Sequence, residues 1–134
     1  MADSAPSIEY VLTAWLAVLG KVGTRRKSGD PLPQWIVRRV TGVDVPELAQ
    51  DTAVVSLHTF AESDEAAIAE SDKAHKRMLE LALNPLVVIT TTTGQKVTID
   101  YCKPIMGPID AEDPDENLVH YVGRYEVGLP YITD

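Results

Sequence analysis

Residues 52–61 constrain the fold of this chain more than any other stretch. In an extended segment, Val55, Leu57 and Thr59 fall on one face there, and Val54, Ser56, His58 and Phe60 on the other, because strand side chains alternate. Neither face is purely polar. A strand of this kind is either central in its sheet or covered by another subunit. A helix signal follows at once. Ser63 is placed to cap it, Asp64 and Glu65 suit the positive end of its dipole, and Lys73, Lys76 and Arg77 fall in its latter half. Ile68, Ser71, Asp72, His75, Met78, Leu79 and Ala82 trace its expected inner stripe, and Asn84-Pro85 ends it.

Four further strands and one helix are expected around this pair. Ile8, Val11, Leu12, Trp15 and Leu19 recur at helical spacing over residues 7–19, widened by Leu16 and Val18, with Ser4 or Ser7 to cap the start and Gly20 to stop it. Residues 22–29 read as an exposed loop. Pro31-Leu32-Pro33 sets up an extended entry into a strand over 34–41 that closes on Gly42. Residues 86–93 and 96–105 form a strand pair around Gly94-Gln95, or else the four threonines form a loop. Pro104, Gly107 and Pro108 are expected to end the pairing, and 106–117 to be an acidic loop. The last strand, 118–129, places Tyr121, Gly123, Tyr125 and Val127 opposite Val122, Arg124 and Glu126. The order predicts an α+β fold: a mainly antiparallel four- to five-stranded sheet with two helices packed on one face. The 134 residues suit one domain, with residues 1–6 a flexible N-terminus.

Charge is more informative than composition. The net charge is −8, which disfavours free DNA binding at long range. Yet Lys21, Arg25, Arg26, Lys27, Arg38 and Arg39, six of the twelve basic residues, lie in the first third. Residues 44–72 hold eight acids and no Lys or Arg, and a second acidic cluster comprises Asp110, Glu112, Asp113, Asp115 and Glu116. Two readings are open: a solvated surface, or complementary patches that orient assembly. The basic loop has no interleaved aromatics, unlike single-strand binding surfaces.

A search for chemistry predicts no catalytic, cofactor or metal site. The eight glycines are scattered, so no phosphate loop occurs. His58, His75 and His120 lie on three different elements without a ligand partner four residues away. Asp72 and His75 sit one helical turn apart, a spacing that fits a surface or subunit-contact pair better than an acid–base pair. Cys102, the single cysteine, has no disulfide partner in the chain and alternates with Lys103, so a small semi-buried role is expected. Ser56 and His58 share a strand face, but no strained turn presents the serine as a nucleophile. No apolar run reaches the roughly 20 residues of a membrane helix, and no basic signal-peptide start precedes Asp3. A cytoplasmic birthplace without membrane contact is therefore expected.

One family shares this texture. The chain carries Ala14-Trp15-Leu16-Ala17-Val18-Leu19-Gly20 at the end of a short helix. Leu32-Pro33-Gln34-Trp35-Ile36-Val37-Arg38-Arg39-Val40-Thr41-Gly42 forms a proline-led strand. Val54-Val55-Ser56-Leu57-His58-Thr59-Phe60-Ala61 runs straight into an acidic helix, and Val119-His120-Tyr121-Val122-Gly123-Arg124-Tyr125-Glu126-Val127 closes the domain. In these segments and their order it resembles the tail terminator proteins of long-tailed, non-contractile bacteriophages, especially those of actinobacteria. The Thr90–Thr93 run and the long acidic loop depart from that pattern.

The resemblance implies a structural virion protein of the tail or neck, assembled in the host cytoplasm. It implies a homohexameric ring that caps the tail tube, stops polymerisation and meets the head-side connector or stopper, with genomic DNA passing through its lumen. Another neck or tail-completion component, and a small enzyme or ligand-binding domain, are the alternatives. The expected assembly surface joins the basic residues of the first third to the acidic cluster at 110–116.

Overall fold

The computed structural model describes residues 5–84, 86–113 and 118–131. The chain is an α+β protein. Its five-stranded sheet has the order β1 (Val22–Gly23), β2 (Gln34–Val45), β3 (Gln50–Ala61), β7 (Val119–Pro130) and β6 (Tyr101–Ala111). Only β1 and β2 are parallel; every other pair is antiparallel. A separate two-stranded ribbon joins β4 (Ile89–Thr90) to β5 (Lys96–Val97).

The double-faced strand is central. β3 pairs along its whole length with β7 on one side, and with β2 on the other. Trp35, Val37, Ala53, Val55, Leu57, Tyr125, Val127 and Leu129 point from the sheet into one core. Both helices close that same face. α1 (Ile8–Leu16) contributes Ile8, Val11, Leu12 and Leu16, and α2 (Asp64–Leu83) contributes Ala74, Met78 and Leu81. Burying each Val, Leu, Ile or Met of this set stabilises the fold by about 1.5–3 kcal/mol, and each alanine by less. Trp15 ties the helices together: its Nε1 donates to the Arg77 carbonyl at 2.9 Å, and the Arg77 guanidinium lies 3.4 Å above its ring. The Tyr125 hydroxyl reaches through the core layer to His75 Nδ1 on α2, at 2.6 Å.

Several local expectations need correction. Ser7 caps α1, accepting from the Tyr10 amide, but Val18 is 72% exposed and does not widen the stripe. On α2 the buried positions are Ala67, Ser71, Ala74, Met78 and Leu81; Ile68 and Asp72 face outward. The predicted stripe was displaced toward the larger apolar residues, whereas alanines let α2 approach the sheet closely. Residues 22–29 are not wholly a loop, because Val22 and Gly23 pair with Trp35 and Ile36. β2 continues past Gly42 to Val45, through a bulge between Arg39 and Thr41, and makes a long hairpin with β3.

The strand pair at 86–105 is real but short, and its second half splits. Val97 stays in the ribbon, while Tyr101 starts β6 in the main sheet. Pro104, Gly107 and Pro108 do not end the pairing. β6 runs through them to Ala111 with two register shifts. It is the outer strand, so a missing proline N–H on its free side breaks no ladder bond. Asp110 is therefore a strand residue. Pro6 is buried and Ala5 packs on the core, so these two belong to the fold. The expected flexible residues 1–4, Pro85 as helix stop, and residues 114–117 of the acidic loop lie outside the described residues. No described helix is long and apolar enough to cross a membrane.

Candidate functional site

The face of the sheet opposite the helices carries side chains in register across β2, β3 and β7. Arg38, Ser56 and Arg124 form one row, since Ser56 pairs with both arginines. Ile36, His58 and Val122 form the next, followed by Gln34, Phe60 and His120. No described helix covers these rows. Over them lies a cleft of about 360 Å³, lined by Arg25, Arg26, Ile36, Arg38, His58, Phe60 and His120.

A hydrogen-bonded chain runs along this face. Ser56 Oγ lies 2.8 Å from His58 Nε2, and His58 Nδ1 lies 2.7 Å from His120 Nε2. His120 Nδ1 faces the Asp113 carboxylate at 3.9 Å. The carboxylate favours a proton on that Nδ1. With that tautomer His120 Nε2 accepts from His58 Nδ1–H, and His58 Nε2 is left as an acceptor for the Ser56 hydroxyl, which also lies within reach of the Arg38 carbonyl at 3.4 Å. Burial pushes His58 down to about 4, helped by the charges of His120, Arg38 and Arg124. Burial also lowers His120, against the opposing pull of Asp113 and Asp110. Both rings are thus neutral near pH 7, and the fixed positive charge of the face is all guanidinium.

The loop before β2 is pinned onto one end of this face. Asp30 accepts from the Lys27 amide at 2.8 Å and from Gln34 Nε2 at 3.0 Å, which holds its carboxyl below the usual range. Arg26 donates to the buried Gln34 Oε1 at 2.6 Å and lies 5.3 Å over the Phe60 ring. Phe60 also stacks on His120, with centroids 4.3 Å apart.

The predicted basic group does not form one patch. Lys21 lies 3.6 Å from Asp30. Arg39 is committed to the buried Asp51 by two bonds of 2.6 and 2.8 Å, on the helix side of the sheet. Among the described residues the Arg38 guanidinium pairs with Glu9 of α1 alone, at 3.9 Å. The side chains of Arg25, Lys27 and Arg124 make no hydrogen bond or ion pair among the described residues.

At the opposite edge, Asp110, Glu112 and Asp113 line a second cleft of about 260 Å³ with Asp64 and His120. Asp115 and Glu116 lie outside the described residues. Asp72 and His75 do not act together: Asp72 pairs with Lys76 at 2.9 Å, and His75 turns to Tyr125. Cys102 is buried toward Met78, away from Lys103.

Sequence reasoning missed Arg124 and the joining of His58 to His120. The missing signal was strand pairing: Ser56 sits midway between Arg38 and Arg124 only once β3 lies between β2 and β7. No protein-family model matches the chain, and no curated protein is similar to it in sequence.

Proposed function

We propose that this protein is a structural ring subunit of a bacteriophage tail or neck, which caps the tail tube and meets the head-side connector. The observation that carries the reading is the separation of charge across one sheet. Arg25 and Lys27 are exposed beside the β1–β2 edge, and Asp110 and Glu112 are exposed at the β6 edge. A ring is built from heterologous contacts, one patch meeting a different patch on the next copy. Opposite charges at opposite edges supply such a pair.

Other features fit the same use. The side of β2 away from β3, beyond Ile36, and the outer side of β6 have no strand partner among the described residues. Prolines and bulges on β6 guard it against indiscriminate pairing. The β2–β3 hairpin exposes Val40, Val43 and Leu48, which offers apolar contact to a tube or connector protein. In this reading the copies form a homohexamer in the host cytoplasm, become part of the virion, and leave a lumen for DNA.

Native mass spectrometry of the purified chain, alone and with a candidate tail tube protein, tests the reading. A closed ring of identical copies, free or only on tube ends, is the expected result. A chain that stays monomeric and ignores tube ends would sink it. A ring that binds connector but not tube would point to another neck component.

A further inference from the structure

Four guanidinium groups approach one face of a chain whose net charge is −8. Such a cluster repels itself unless an anion completes it. Arg38 and Arg124 flank Ser56 in register, and Arg25 stands at the rim of the same cleft. The described acids offset only part of this charge: Glu9 pairs with Arg38 at 3.9 Å and Asp30 lies near Arg26, while the Arg25 and Arg124 side chains have no acid partner among the described residues.

We propose that this face is a binding site for a phosphate-class oxyanion, held between Arg38 and Arg124 above Ser56, with Arg25 closing the rim. The planar fork of arginine suits the paired oxygens of a tetrahedral anion. The Ser56 hydroxyl, which has His58 Nε2 at 2.8 Å and the Arg38 carbonyl at 3.4 Å as acceptors, can turn and donate to the anion. His58 then takes a proton from solvent and becomes a further donor. The Phe60 ring is already occupied by His120 and Arg26, so the site recognises the phosphate group and leaves no stacking platform for a base. The anion is either free or carried on a nucleic-acid backbone. The site lies within one copy and does not depend on the ring reading.

A linked proton uptake follows. The groups facing His58 are Arg38 from β2, His120 and Arg124 from β7, and Arg25 and Arg26 from the loop; Asp110 and Asp113 act on His120. Burial is the main cause that keeps His58 neutral, and a bound dianion offsets the arginine charges that add to it. Sulfate, whose own charge is constant from pH 7 to 5, therefore binds more tightly as pH falls across that range.

The test is calorimetric and NMR titration of the full chain with sodium sulfate and with inorganic phosphate at constant ionic strength. Saturable binding is expected, with the amides of Arg38, Ser56, His58 and Arg124 shifting together. Arg124→Gln weakens it by roughly tenfold or more, the loss of one charge-assisted contact, while Lys96→Gln, an equal charge change on the distant ribbon, leaves it intact. Arg38→Gln repeats the test should Arg124→Gln fail to fold. A short single-stranded oligonucleotide that displaces sulfate in an Arg124-dependent way identifies nucleic-acid phosphate as the source; sulfate binding without displacement identifies a free anion. Equal losses in Arg124→Gln and Lys96→Gln, or no saturable binding, would overturn the proposal.

Discussion

His58 Nδ1 lies 2.7 Å from His120 Nε2, and burial keeps both rings neutral where a free histidine begins to charge. This links folding to pH. The unfolded chain protonates His58 near its ordinary value of 6.5, whereas the folded chain resists until about 4. Between those values the unfolded state binds more protons, so the contribution is full above pH 6.5 and lost as pH falls toward 4. Asp30, whose carboxyl is also held low, contributes only further into acid. In buffers without sulfate or phosphate, Tm should fall by several degrees from pH 6.5 to 4.5. The double variant His58→Gln, His120→Gln should flatten that slope. Equal slopes would remove the pair as the cause.

Gly42 lies at φ 145° just beyond the bulge in β2. A Cβ there would overlap the Thr52 carbonyl oxygen and the Arg39 guanidinium, which bridges to Asp51 over this spot. Gly42→Ala should destabilise the chain by about 1–3 kcal/mol. Arg39→Lys keeps the charge but loses the two-pronged bond, and should cost about 1 kcal/mol. Urea titration measures both. A Gly42→Ala midpoint equal to that of the parent chain would mean the hairpin tolerates a side chain here.

Cys102 faces the core with its thiol toward the Met78 carbonyl, 3.8 Å away. Burial pushes the thiol up to about 12, so almost no thiolate exists near pH 7 and reagent access is closed. A disulfide reagent should react at the rate of global unfolding in the native chain, and fast in denaturant. Rapid reaction of the native protein would show that β6 opens from α2 locally.

Much of this architecture was legible because it rests on short-range rules. The two-faced pattern at 52–61 implied a strand either central or covered by another subunit, and β3 is central; Ser63 marked the start of α2, and its side chain accepts from the Ala66 amide. What failed depended on partners distant in sequence. Pro104 and Pro108 break a central strand but not an outer one, and only the sheet order makes β6 outer. Alternation correctly placed Ser56 with His58 and Arg124 with Val122. It carried no information that β3 and β7 would set Arg124 beside Ser56 and His58 against His120. The basic residues were legible as a run in sequence, yet Arg39 turns to Asp51 on the other side of the sheet and Arg26 is spent on Gln34.

Opposed edges give a stringent test of assembly. Arg25→Glu with Lys27→Glu makes both edges acidic, and Asp110→Lys with Glu112→Lys makes both basic. These side chains are exposed, so each variant should fold with a Tm close to that of the parent. Neither should form rings by itself, since like charges would then meet at every contact and such contacts are strongly disfavoured. Mixed together, the two variants restore complementarity at both kinds of contact, but only if they alternate. A ring with an even number of subunits can close in that way and an odd one cannot. Native mass spectrometry of the mixture on tube ends should therefore show rings with equal numbers of the two variants. Assembly of either variant alone at the parent's level would place the ring contact elsewhere on the molecule, with the β2–β3 hairpin the next surface to change.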